Sequence, residues 1–284
     1  MVPVTPSSRG SLVGAALRRH REGAGYDLDD AAEMLDCDRS RISRIETGER
    51  GIPAEALLRL ADGYGVPDAE RDLLLSIACE RRGDYGAWDD YKDVLPGTFL
   101  DYLIIEAAAS GIVTFQAQQV PSLLQTGDYA RAAAAAGADV PPAWVPRIVE
   151  SVLARQQAIL ATRPVPVDVT LTEAALRQPV GPRRLMRAQL ARMAHAAVND
   201  PHVTIRVIPF SAGANAGIGL GSPTLLRFDA APGYDVVHLP GLAGGALITD
   251  PATVNAYSGA LAKVRESALN PRESQLLIRA ISRE

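Results

Sequence analysis

The stretch that most constrains this chain is Ala31–Gly51, AAEMLDCDRSRISRIETGERG. Its centre, Arg39–Glu46, reads as one short amphipathic helix. Ile42 and Ile45 are three apart, so they share a face and point inward. Arg39, Ser40, Ser43 and Arg44 fall at i, i+1, i+4 and i+5, on a face that carries cations and hydroxyls and nothing apolar. Asp38 is placed to cap the first turn, because its carboxylate accepts from N–H groups that have no intrahelical partner, and Gly48 is placed to stop the last. Ahead lies a second short helix, Leu28–Leu35, with Asp27 as its cap and Leu28, Ala31, Ala32 and Leu35 as a stripe at i, i+3, i+4, i+7. Only Asp36-Cys37 separates the two, which leaves room for a tight turn. Two short helices, a tight turn and an Arg/Ser face on the second make a helix-turn-helix.

These residues resemble the XRE-type helix-turn-helix family. The resemblance rests on Leu28, Ala32, Leu35, Ile42-Ser43, Ile45-Glu46, Gly48 and Arg50, and the run Ile42–Gly48 is its most specific part. It implies double-stranded DNA as partner, with Arg39, Ser40, Ser43 and Arg44 turned to base edges in the major groove. Thr47, Arg50, Arg41 and the first-helix residues Arg18 and Arg19 would then meet phosphates. It also implies a homodimer on a palindromic operator with half-sites about 34–36 Å apart. The chain departs from the family pattern in three places. The Gln that often opens the first helix has no counterpart near Leu28, the turn Gly is Asp36, and the Ser that opens the second helix is Asp38. With Asp27, Asp29, Asp30 and Glu33, these changes make that flank acidic.

Around the motif the periodicity predicts an all-α, five-helix domain over residues 1–82. Met1–Gly10 reads as a loose tail, and Ser11 as the cap of a helix Leu12–Glu22. That helix has Val13, Ala16, Leu17 and His20 inside and Arg18, Arg19 and Arg21 outside. A fourth helix, Ala54–Tyr64, offers Leu57, Leu58, Leu60 and Ala61 to the core, and a fifth runs Asp68–Arg82. Residues 83–97, rich in Gly, Asp and aromatics, read as a linker.

Residues 98–284 read as a mixed α/β regulatory and dimerisation domain, a central sheet flanked by helices. The expected strands are Ile112–Gln116, Val165–Leu171, Val203–Ile208, Thr224–Phe228 and Asp235–Leu239, with Ala246–Thr249 as a sixth candidate. The expected helices are Phe99–Ser110, Pro141–Leu160, Pro182–Asn199, Pro251–Leu269 and Pro271–Ile281. This part resembles the large antitoxin-like domain that follows an XRE-type motif in actinobacterial regulators. The resemblance rests on Glu106–Ala108, Val120–Arg131, Arg155-Gln156, Glu173, Ala175-Leu176, Gln189-Leu190 and Val207–Phe210, and the Leu-Leu-Gln-Thr-x-x-Tyr-Ala run is its most telling part. It implies a regulatory input, either a small molecule or a small partner protein. The expected pocket lies near the Gly213–Gly221 loop, the Ile112–Gln116 strand and the Val120–Tyr129 segment, with Phe115, Gln116, Gln125 and Tyr129 as ligand-binding residues.

Composition narrows the classes. A net charge of −4 excludes a chain that coats nucleic acid non-specifically, so DNA contact must come from a local patch. Cys37 and Cys79 build no disulfide framework, the N-terminus has no apolar signal core, and no run of about 18 apolar residues exists, so a cytoplasmic protein without a membrane span is expected. His20, His195, His202 and His238 are scattered, with no HExxH or CxxC spacing, so no metal site is expected. Gly213–Gly221 lacks the Lys-Ser/Thr of a phosphate-binding loop and precedes a strand, so it reads as a flexible loop and implies no cofactor. Glu106 and Glu173 read as structural, with Arg155 and Arg131 as available partners. No nucleophile elbow is present, and the chain is not expected to be an enzyme. Two function classes remain. One is a sequence-specific DNA-binding transcription regulator whose C-terminal domain senses a small molecule or partner protein. The other is an antitoxin-like interaction module with weak or lost DNA binding.

Overall fold

The computed structural model describes residues 8–78, 83–138, 140–229, 231 and 233–284. The expected end of the fifth helix at 79–82, Cys79 included, and most of the expected N-terminal tail lie outside those residues. Contacts divide the chain into two compact units. The first gathers the chain up to Ala108 together with Phe228–Tyr234 and Leu242–Thr249, and the second holds the remainder.

The first unit is helical: α1 (Ser8–Gly23), α2 (Leu28–Met34), α3 (Arg39–Glu46), α4 (Ala54–Tyr64), α5 (Asp68–Ile77) and α6 (Gly97–Ala108). Leu12, Val13, Ala16 and Leu17 of α1 are buried, as are Ala31, Ala32, Ile42, Ile45, Leu57, Leu60 and Leu74, and α1 packs against α3, α4 and α5. Each fully buried Leu or Ile contributes about 1.5–3 kcal/mol by leaving water. Three expectations are corrected here. First, α1 starts at Ser8, not after a cap at Ser11. The Ser8 N–H donates to Asp101 Oδ2 at 2.9 Å and Arg9 Nε to Asp101 Oδ1 at 2.9 Å, so a carboxylate far along the chain completes the first turn. Second, Leu58 is at the surface, because the buried stripe of α4 is Leu57, Leu60, Ala61 and Tyr64, and Leu58 falls off it. Third, Arg21, expected outside, is buried.

The second unit is mixed α/β. It runs β1 (Gly111–Gln116), α7 (Gly127–Ala135), α8 (Val145–Gln156), β2 (Val167–Thr172), α9 (Glu173–Arg177), α10 (Arg183–Asn199), β3 (Val203–Ile208), β4 (Thr224–Arg227) and β5 (Val236–Leu239). After β6 (Ala246–Ile248), which falls in the 242–249 segment of the first unit, come α11 (Pro251–Glu266) and α12 (Pro271–Ile281). The five strands of the second unit form a sheet in the order β3-β2-β1-β4-β5. β1, β2 and β3 are parallel, which requires the helical crossovers that separate them in sequence, and β4 and β5 add antiparallel. The register sets Val203, Val167, Ile112, Leu226 and Val236 side by side, so one apolar row crosses all five strands. The helix α9 was not expected. At five residues it is too short to show a period, and only its cap, Thr172 accepting from the Ala175 N–H, marks it.

Candidate nucleic-acid interface

The α2–turn–α3 segment is built by its carboxylates. Asp27 accepts from the Asp29 and Asp30 N–H groups at 2.7 and 2.9 Å, and Asp30 returns a bond to the Asp27 N–H at 2.7 Å. Asp38 accepts from the Arg41 N–H at 2.9 Å and from the Ser40 hydroxyl. These donors hold the Asp27 and Asp38 carboxyls below the usual carboxylate range. Between the two helices Asp36 sits at φ 49°, the left-handed region that costs an L side chain most. The XRE pattern places Gly at this position. Ile42 and Ile45 are 0% and 2% exposed, so the inward face of α3 is fully committed to the core.

Two features fix α3 against α1. A Cβ on Gly14 would lie 2.4 Å from the Ile45 carbonyl oxygen and 2.6 Å from that of Glu46, so the two backbones touch and only glycine fits. Beside this contact, Arg21 grips Glu46 with both arms of its fork, Nε to Oε1 at 2.7 Å and Nη2 to Oε2 at 2.9 Å, while Nη1 donates to the Tyr26 carbonyl at 2.8 Å. The Glu46 carboxylate raises the Arg21 pKa. Neither Gly14 nor the Arg21–Glu46 pair was read as important from sequence. A lone Gly inside an amphipathic helix was the available signal for the first. For the second, nothing local says that an Arg on one helix will meet a Glu 25 residues on.

On the outward face, Arg39, Ser40, Arg44, Thr47 and Arg50 are exposed, and Arg41 and Ser43 are half-buried. Arg39 Nη1 lies 3.2 Å from Asp29 Oδ2. Arg44 bends back along its helix, with Nε on the Ser40 carbonyl at 3.2 Å and Nη2 on the Ser40 hydroxyl at 3.3 Å. The first-helix cations both have acidic neighbours. Arg18 pairs with Glu22 at 2.8 Å. Arg19 lies 4.6 Å over the ring of Tyr234, and its Nη2 is 3.5 Å from Glu70. Glu70 also receives the Tyr234 hydroxyl at 2.9 Å and touches His20 Nε2 at 2.7 Å.

In the second unit Phe115, Gln125 and Tyr129 are buried and Gln116 is half-buried. The Gly213–Gly221 loop does reach β1, since a Cβ on Gly217 would lie 2.5 Å from the Phe115 ring. Gln125 Nε2 donates to the Val120 carbonyl at 2.8 Å, the Tyr129 hydroxyl accepts from the Val120 N–H at 3.3 Å, and Gln116 Nε2 donates to Thr114 at 3.0 Å. Gln125 and Tyr129 thus hold the backbone at Val120. An open cleft of about 640 Å³ lies just past the C-terminal ends of β1 and β2. Ala117, Gln118, Gln119 and Gln178 line it, and none of the four expected ligand residues does. Glu173 pairs with Arg177 at 2.7 Å, and Arg155 donates to the Ser122 hydroxyl at 2.5 Å. Among the described residues no group of three or more His, Cys, Asp or Glu is placed to hold a metal ion, and no helix is long and apolar enough to cross a membrane.

Comparison with known proteins gives two family matches. Residues 12–74 match a helix-turn-helix domain, which spans α1 to α5 up to Leu74. Residues 99–280 match a domain of unknown function, DUF5753. No curated protein and no solved structure matches the chain. Because the second match spans more than half of the sequence, the chain belongs to the DUF5753 family, and it carries a helix-turn-helix domain ahead of that region.

Proposed function

We propose that this protein is a sequence-specific DNA-binding transcription regulator, acting as a homodimer on a palindromic site, whose DUF5753 region receives a small-molecule or protein signal. The observation that carries the reading is the asymmetry of α3. Ile42 and Ile45 are closed into the core, α3 is locked to α1 by Gly14 and the Arg21–Glu46 grip, and Arg39, Ser40 and Arg44 stand in solvent. A helix so held presents a rigid row of donors, which a major groove can accept. Arg44 or Arg39 on a guanine is the strongest expected contact, worth about 1–3 kcal/mol of discrimination. A signal must favour the DNA-competent or the incompetent state of the protein if it is to regulate.

The test is fluorescence anisotropy of the full chain with DNA from upstream of its own coding sequence. Tight, sequence-dependent binding that is lost in the Arg44→Ala/Ser43→Ala double variant is the expected result. Specific binding that survives the double variant removes α3 as the reader. Light scattering of the free and DNA-bound protein tests the dimer, and a monomer in both overturns it.

A second reading has a specific observation in its favour. Arg39 is already paired with Asp29, and α2 opens on Asp27, Asp29 and Asp30, where a DNA-binding unit would meet phosphate. If no upstream DNA binds above a random duplex, the antitoxin-like interaction module is the better account.

A further inference from the structure

We propose that the cleft between α9, α10 and α12 is a binding site for a small carboxylate that carries a short hydrocarbon tail. The cleft is open to solvent and holds about 280 Å³, near the ~300 Å³ at which small-ligand pockets begin. Its apolar lining comes from Leu176, Met186, Leu190 and Ile281. Three guanidinium groups, Arg177, Arg183 and Arg187, share that lining, and Glu284 is the single acid among them. An apolar lining edged by cations matches an anionic amphiphile and repels a cationic one.

Arg177 is already built as a carboxylate receiver. Its Nε is anchored by Glu173 Oε1 at 2.7 Å, and the other oxygen of Glu173, a buried residue, accepts the Phe210 N–H at 2.9 Å. The anchored guanidinium turns its free fork outward. Nη1 and Nη2 meet the two oxygens of Glu284 at 2.5 and 3.2 Å, the bidentate geometry by which Arg recognises carboxylates. That fork, with Arg183 nearby, lowers the Glu284 pKa. Arg187 is held in parallel, donating to the Ser282 and Arg283 carbonyls at 3.1 and 3.4 Å.

Glu284 behaves as a resident stand-in rather than a permanent partner. Its side chain is 59% exposed, and an ion pair that open to water contributes little. Its two methylenes supply the carboxylate with almost no hydrocarbon to cover the half-buried Met186. A ligand that joins a carboxylate to a longer tail satisfies the fork and the apolar lining at once. The inference concerns binding alone and does not rest on the DNA-binding reading.

The test is isothermal titration of the full chain with octanoate, with octan-1-ol and octylammonium as controls. Octanoate is expected to bind in preference to both controls, and Glu284→Gln, which weakens the resident competitor, to bind it about two- to fivefold more tightly. Arg177→Gln is expected to lose binding about tenfold. Because Arg177 also anchors Glu173, a second variant, Met186→Trp, fills the cleft and leaves every guanidinium in place. It is expected to abolish octanoate binding with an unchanged circular dichroism spectrum. The proposal is overturned if neither the wild type nor Glu284→Gln binds octanoate. It is equally overturned if octanol or octylammonium binds as tightly, or if a folded Met186→Trp binds as before.

Discussion

The two units secure their irregular segments with different chemistry. In the first unit the buried links are charged, Arg21 with Glu46 and Arg9 with Asp101, and His20 and Tyr234 meet the half-buried Glu70 carboxylate. In the second, neutral amides dominate. Gln189 donates to the Leu124 carbonyl at 2.8 Å and accepts the Thr126 N–H at 2.7 Å. Gln156 donates to the Ser122 and Gln125 carbonyls at 2.7 and 2.8 Å, and Arg192 adds a bond to Leu124 at 3.2 Å. The segment so held, Ser122–Thr126, has little regular structure of its own, and its buried backbone groups would otherwise lack partners. A charged grip joins two elements strongly but leaves a costly orphan if one side is lost. An amide can donate and accept at once, so it suits a run of adjacent carbonyl and N–H groups.

The two tryptophans make this contrast measurable, since Trp88 lies in the first unit and Trp144 in the second. Fluorescence-monitored urea unfolding in Trp144→Phe and Trp88→Phe backgrounds therefore follows each unit separately. The largest expected effect is that of Glu46→Leu, which strands the buried Arg21 and should cost about 3–5 kcal/mol in the Trp88 transition. Adding Arg21→Met should restore more than half of that loss. A single variant costing under ~1 kcal/mol would mean that the charged grip is not a buried one. Next comes Gln189→Leu, which leaves the Thr126 N–H unpaired and the Leu124 carbonyl with Arg192 as its remaining donor. About 2–3 kcal/mol should be lost from the Trp144 transition, by the same amount at acid and neutral pH because no group there titrates. A smaller gain is expected from Asp36→Gly, which relieves the left-handed backbone of the α2–α3 turn and should raise first-unit stability by about 0.5–1 kcal/mol.

The smallest effect is one of pH. Asp27 and Asp38 have folded pKa values below those of the unfolded chain, about 3.9. Their capping contribution is therefore present above that value and is lost as pH falls through the lower, folded one. Acid titration of the Trp88 signal should show this loss, and Asp38→Asn, which still caps but does not titrate, should flatten it. Arg21 is shifted the other way, so loss of the proton from its own guanidinium plays no part in this acid experiment.

What the sequence determined by itself is the local structure. The caps at Asp27 and Asp38, the stripe of Ile42 and Ile45, the bounds of α4 and β3, and the polar face of α3 follow from interactions within a turn or two of chain. What only the tertiary structure decided is the fate of polar side chains whose partners are remote. Arg9 sits in a stretch with the composition of a loose tail, yet it is buried on Asp101, 92 residues on. Arg21 falls on the polar side of its helix by periodicity, yet it closes on Glu46. Gln125, an expected ligand group, holds the carbonyl of Val120, while Gln189 binds the backbone of a segment 63–65 residues earlier. The same holds for segments: Phe228–Tyr234 follows a strand of the second unit in sequence, yet it belongs to the first. Periodicity reports which face of an element is apolar. It carries no information on which distant donor or acceptor will satisfy a buried polar group, because that pairing exists only once the chain has folded.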